Sequence, residues 1–175
     1  MNEKWKNLGK AMQEKDLSKL NSLVKAMLRN LSISGIIEKL KAQLLDGNEP
    51  FVWATLPHPL IGEEFPTSIR SAWIFVLRPD YHISSHYHPN SAQYTVVIEG
   101  SGWAKIGSQE VELQAFDPHN PQPFWYVIGK SVPHEFVTRD SPVAVISFHT
   151  CPAGELVEIE TKSGSRRLYE RRGEH

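Results

Sequence analysis

From Glu49 onward, proline and glycine cut the chain into pieces too short for anything but strands. Prolines at 50, 57, 59, 66 and 79 exclude long helices there, because proline lacks an amide hydrogen and clashes with the preceding helical turn. Between the breaks lie β-prone runs at 51–55, 68–77, 93–98, 102–106, 110–114, 124–128, 134–138 and 142–148. Glu99-Gly100-Ser101-Gly102, Ile106-Gly107-Ser108 and Arg139-Asp140-Ser141-Pro142 supply turns between them. Short strands joined by such turns predict a mainly β sandwich or barrel.

Residues 1–47 read as helical instead. Asp16 and Ser18 can start a helix carrying Leu17, Leu20, Leu23, Val24, Met27, Leu28 and Leu31 at helical spacing. Ser32 or Ser34 is expected to cap a second helix with Ile36, Ile37, Leu40, Leu44 and Leu45, ending at Asp46-Gly47 with Gly47 as a left-handed cap. Lysines at 4, 6, 10, 15, 19, 25, 39 and 41 read as a solvated polar face, with a basic interaction surface the alternative. The expected organisation is helices over 1–47 packed on a barrel over 48–160. A polar tail over 161–175, extended or a single helical turn, completes it.

At 175 residues, 40% of them hydrophobic, the chain can bury one substantial core. A net charge of −1 gives no reason to expect a nucleic-acid partner. The single cysteine, Cys151, precludes an internal disulfide framework and fits a reducing compartment. It precedes a proline without an activating neighbour, so it reads as a structural thiol. The N-terminal stretch is polar and no window approaches eighteen apolar residues, so neither a signal peptide nor a membrane span is expected. A soluble cytoplasmic protein is the resulting expectation.

Histidines carry the chemistry. His86 and His88 are two apart in an extended segment, so they share a face with Cβ atoms roughly 7 Å apart. A third histidine from a neighbouring strand, His134 after Val132-Pro133, would complete a facial nitrogen site of the kind that holds non-haem iron, zinc, copper or nickel. Chance alone supplies about 0.4 His-x-His pairs in a chain of this composition, so context must carry the reading. His82 shares parity with His86 and reads as a surface residue. His149 lies on the Val143, Val145, Ser147 face of the last long strand, where it either positions substrate or relays a proton, or is a satisfied core histidine. His58, His119 and His175 sit in proline-rich loops or the tail and read as uninvolved. Trp53, Trp73, Trp103, Trp125, Tyr94 and Phe136 read mostly as packing.

The context resembles the first motif of the cupin superfamily: glycine, five residues, His-x-His, four residues, glutamate, six residues, glycine. Asp80 stands at the first glycine, Gln93 at the glutamate and Gly100 at the closing glycine. The segment 128–134, ending Val132-Pro133-His134, resembles the second motif, with Ser131 where its glycine falls. The resemblance implies a double-stranded β-helix, or jelly-roll barrel, with one metal on His86, His88 and His134. Within that superfamily, 84–91 resembles the Ser-Ser-x-His-x-His-x-Asn-Ser segment of cysteine dioxygenase-type thiol dioxygenases, one residue short before the first histidine. Ser147-Phe148-His149-Thr150-Cys151 resembles their Ser-x-His-x-Tyr relay, with Cys151 at the tyrosine. Gln93 occupies the position of a cysteine that some members crosslink to that tyrosine, so no crosslink can form here. Arg70 and Arg78 are candidates for the substrate-carboxylate arginine by proximity alone.

The implied function is a metal-binding cupin. A mononuclear non-haem iron dioxygenase is favoured, with Fe(II) at the site and Zn, Ni, Mn or Cu as alternatives. Three neutral imidazoles and a neutral Gln93 leave a divalent ion its full charge, which favours a small anionic thiol or enol-type substrate beside dioxygen. Gln93 is read as a weak ligand or as a hydrogen-bonding neighbour. His149 and Tyr87 are the candidate catalytic residues. The alternatives are a non-catalytic metal- or ligand-binding cupin, and a metal-dependent isomerase. No nucleic-acid or membrane partner is expected, and the resemblance allows a homodimer.

Overall fold

The computed structural model describes residues 14–57 and 64–169. His58, His175, the first three lysines and Arg171 and Arg172 lie outside the described residues. Two helices, α1 (Glu14–Leu28) and α2 (Leu31–Asp46), precede eleven strands: β1 (Phe51–Thr55), β2 (Ser71–Leu77), β3 (His82–Tyr87), β4 (Gln93–Glu99), β5 (Gly102–Ile106), β6 (Gln109–Leu113), β7 (Tyr126–Ile128), β8 (His134–Thr138), β9 (Val143–His149), β10 (Val157–Glu160) and β11 (Arg166–Leu168). They form two antiparallel sheets, ordered β1-β2-β9-β4-β7 and β11-β10-β3-β8-β5-β6. This is the expected jelly roll. No described helix is long and apolar enough to cross a membrane.

The first sheet is buried on both faces, which explains its unbroken apolar runs. Along β2, Ala72, Ile74 and Val76 face the helices, while Trp73 and Leu77 face the barrel interior. From the helices, Leu20, Leu23, Val24 and Met27 of α1 and Ile33, Ile37, Leu40 and Leu44 of α2 enter the first core. Each such side chain contributes roughly 1.5–3 kcal/mol by leaving water. The second sheet shows period-two burial instead. In β5, Gly102 and Ala104 point inward, while Trp103 is 46% exposed with the Arg139 guanidinium over its ring. Trp103 therefore lies on the outer face, against the packing expectation. Gly102 is needed where it stands, since a Cβ there would come within 2.3 Å of the Val137 carbonyl oxygen.

Several boundaries differ from expectation for identifiable reasons. Asn30, not Ser32 or Ser34, caps α2: its side-chain oxygen accepts from Ser32 N at 2.9 Å. Leu31 consequently opens α2 rather than closing α1. Gly47 is extended (φ −104°) rather than left-handed. Arg78 removes the need for a left-handed cap by donating to the carbonyls of Leu44 (2.5 Å), Gly47 (2.7 Å) and Glu49 (2.8 Å) at the end of α2. The run at 124–128 begins its strand only at Tyr126, because prolines 121 and 123 hold 122–124 in a 3-10 turn. Residues 166–168, expected in the tail, form β11 paired with β10.

Candidate metal centre

The site sits where β3 and β8 run side by side. His86 and His134 are directly opposed in the ladder. His88 follows two residues later, and Ser131 N donates to the His88 carbonyl at 2.9 Å, tying the turn before β8 to the end of β3. Ring centroids lie 4.3 Å apart for His86–His134, 5.3 Å for His88–His134 and 5.5 Å for His86–His88. One nitrogen from each ring lies within 4.8 Å of the other two, and all three residues are buried.

A bulge in β3 sets which side chains face in. The pairing steps from Ile83↔Phe136 to His86↔His134, with one more residue on β3 than on β8. Ile83 and His86 are both buried as a result, while His82 turns outward, exposed beside Glu135 at 3.4 Å. His82 is thus a surface residue, as the sequence reading has it, although it shares parity with His86.

The hydrogen bonding fixes the tautomers. His86 Nδ1 faces Ser84 O at 2.8 Å, His88 Nδ1 faces Val157 O at 2.8 Å, and His134 Nδ1 faces Val132 O at 3.0 Å. A carbonyl only accepts, so each Nδ1 carries a proton, and in the neutral ring it is Nε2 that keeps the lone pair. Burial, reinforced by the neighbouring His86, lowers the His88 pKa to about 4. Burial, with His86 and His88 beside it, holds His134 well below the ordinary value. Both are neutral at pH 7, the form a metal requires.

His149 adds a fourth lone pair. Ser91 Oγ donates to Ala92 O (2.9 Å) and accepts from Thr150 N (3.1 Å), so its contact with His149 Nδ1 at 3.2 Å is a bond donated by the ring. The His149 ring stands perpendicular to His88 at 5.6 Å, and burial, then His88, pushes its pKa well down. Gln93, opposite His149 in the ladder, donates through its amide nitrogen to Thr95 Oγ1 (2.8 Å) and Ser147 Oγ (3.4 Å). His134 Nε2, His149 Nε2 and Gln93 Oε1 are buried without a hydrogen-bond partner among the described residues. Buried acceptors left this way cost stability unless a donor or cation meets them. This donor set fits a divalent metal held by His86, His88 and His134.

His86, His88, Gln93 and His149 edge a pocket whose apolar wall is Phe51, Phe75, Leu77, Ile83, Phe136 and Val145. Other expected residues lie elsewhere. Tyr87 is half-buried opposite Ile159 and does not line the cavity. Tyr94 packs in the core facing the helices. Arg78 is occupied at the end of α2, and Arg70 is exposed. His119 is exposed as well, and Cys151 is buried, burial pushing its thiol pKa up.

The sequence reading missed Glu158 and Tyr169, which line the same cavity, and Arg167, which lines the adjoining outer hollow. Glu158 Oε2 lies 3.7 Å from His86 Nε2, accepts a hydrogen bond from the Tyr169 hydroxyl, and its Oε1 lies 3.6 Å from Arg167 Nη1. Burial, then Glu158, holds the Tyr169 pKa well above its usual value, so this hydroxyl is a donor. The signal was present: Val157-Glu158-Ile159-Glu160 alternates with period two before a Ser163-Gly164 turn.

No protein-family model matches the chain, and no curated protein sequence matches it. Solved structures do. A salicylate 1,2-dioxygenase from Pseudaminobacter salicylatoxidans superposes with a TM-score of 0.51 at 15% identity, over 67% of this chain and 33% of that one. Its gentisate adduct gives 0.51 at 16% identity, over 67% and 31%. The cupin domain of Schizosaccharomyces pombe Cnp3 gives 0.45 at 6% identity, over 58% and 65%. At these identities the likeness is one of fold alone, a jelly-roll barrel. This chain spans about a third of the length of the dioxygenases it matches.

Proposed function

We propose that the protein is a mononuclear non-haem iron dioxygenase acting on a small anionic substrate of thiol or enol type. The observation that carries this reading is the buried cluster of His86, His88 and His134, one nitrogen of each ring lying within 4.8 Å of the others and each Nδ1 held by a backbone carbonyl. Iron held there would supply a Lewis acid and an electron source toward dioxygen.

The chain's own groups orient the substrate. His149 Nε2 offers an acceptor for an acidic substrate hydrogen, and Gln93 Oε1 offers a second. The six apolar wall residues exclude water from the body of the substrate. Between the two substrate types, this wall and the diversion of Arg78 to α2 support an enol over an amino-acid thiol. The relay resemblance at Ser147, His149 and Cys151 is what keeps the thiol in view.

The test is anaerobic loading with Fe(II), followed by oxygen uptake across thiols and β-diketones. Turnover of a β-diketone is expected. Absence of uptake with any of these substrates and any first-row metal would overturn the dioxygenase reading.

A further inference from the structure

We propose that Glu158, carried on the C-terminal β10–β11 hairpin, is a fourth ligand of the metal centre, held in place by Tyr169 and Arg167. The inference rests on the metal-site reading above and extends it.

The first ground is distance: a buried carboxylate stands beside one of the three candidate ligand nitrogens. His86 Nδ1 is committed to Ser84 O, so Nε2 is the nitrogen that faces Glu158. Glu158 Oε2 lies 3.7 Å from that nitrogen, with the Glu158 side chain only 12% exposed. A metal forms bonds of about 2.0–2.2 Å to imidazole nitrogen and carboxylate oxygen. One ion can therefore touch both atoms whenever they lie within about 4.2 Å of each other.

The second ground is how the carboxylate is held. Tyr169 is 2% exposed and sends its hydroxyl to Oε2, which consumes one of that oxygen's two lone pairs. Arg167 stands 3.6 Å from the other oxygen and lies over the rings of Phe51 (5.2 Å) and Tyr169 (5.9 Å). Tyr169 is in turn wedged edge-on against Trp53, Trp73 and Phe75. Such outer partners fix a ligand's direction and sharpen its affinity for metal. Tyr169 and Arg167 are positioning residues in this arrangement. With Glu158 bound, the centre carries one positive charge rather than two, and one fewer position remains for small molecules.

The test uses the full chain stripped of metal, titrated with Co(II) and Zn(II) against a chromophoric chelator. Glu158→Gln should weaken both ions by more than tenfold and change the intensity of the Co(II) visible bands, which report coordination number. Glu160→Gln, two residues along the same strand, should leave affinity and spectrum unchanged. Wild-type affinity and bands in Glu158→Gln overturn the inference, as does an equal loss in Glu160→Gln. Should Glu158→Gln fail to fold, Tyr169→Phe carries the test. It keeps the ring packing and releases the carboxylate, so a several-fold weakening is expected and no change overturns the proposal. A wild-type chain that binds neither ion overturns the underlying metal-site reading instead.

Discussion

Ser131 and Asp80 are the only described non-glycine residues with positive φ, at 59° and 49°. Both positions are glycine in the motifs the sequence resembles, so the backbone keeps the turn while the side chain bears its cost. Asp tolerates the left-handed region better than serine, since its short polar group bonds locally. Replacing Ser131 with glycine should stabilise the protein by about 0.5–1 kcal/mol, relief of the left-handed penalty outweighing glycine's extra unfolded-state freedom. A rise of about 1–3 °C in the melting temperature checks this. The same residue donates its amide to His88 O, so relieving the strain leaves that tie to the metal site intact.

At the scale of elements, α2 depends on a residue far along the chain. Arg78 covers the Leu44 carbonyl in the last turn of α2 and those of Gly47 and Glu49 just beyond it. Arg78→Ala should cost about 1–3 kcal/mol in urea denaturation, since those carbonyls lose a charged donor. The KM for an oxidised substrate should be unchanged, which separates a helix-capping role from a substrate-anchoring one. The same contrast explains what could be read from the sequence. Period-two burial and punctuating turns placed most strands, and the His86–His134 pairing follows from two segments each legible alone. Arg78 at α2, and Glu158 beside His86, depend on neighbours brought together by topology, which local patterns do not carry. The bulge at 84–85 defeated parity counting for the same reason: an extra residue is visible only against its partner strand.

At the scale of the molecule, the metal-free protein contains a buried cluster of neutral imidazoles, and its stability must depend on pH. His88, His134 and His149 all have folded-state pKa values below the ordinary 6.5. Between those values and 6.5 the unfolded chain binds more protons, so acid favours unfolding. The metal-free protein should be fully stabilised above about pH 6.5 and lose stability as pH falls toward 4. His88 alone accounts for about 3 kcal/mol of this change. Thermal melts of chelator-treated protein between pH 7.5 and 4.5 measure it, and a flat profile would contradict the neutral, carbonyl-held assignment. Bound metal should shift the whole decline to lower pH, because a coordinated imidazole resists protonation.

The bulge in β3 also works as a length buffer. Ile83 meets Phe136 and His86 meets His134 with one surplus residue between them, so both halves of the strand keep their register. Removing that residue would give an unbroken ladder with the same two pairs and the same inward faces. The number of residues between the solvent end of the strand and its histidine end is therefore free to change by one without moving a ring. The one-residue shortfall against the Ser-Ser-x-His pattern falls at this joint. Spacing there is the part of the motif that can drift, whereas the pairing across to His134 cannot.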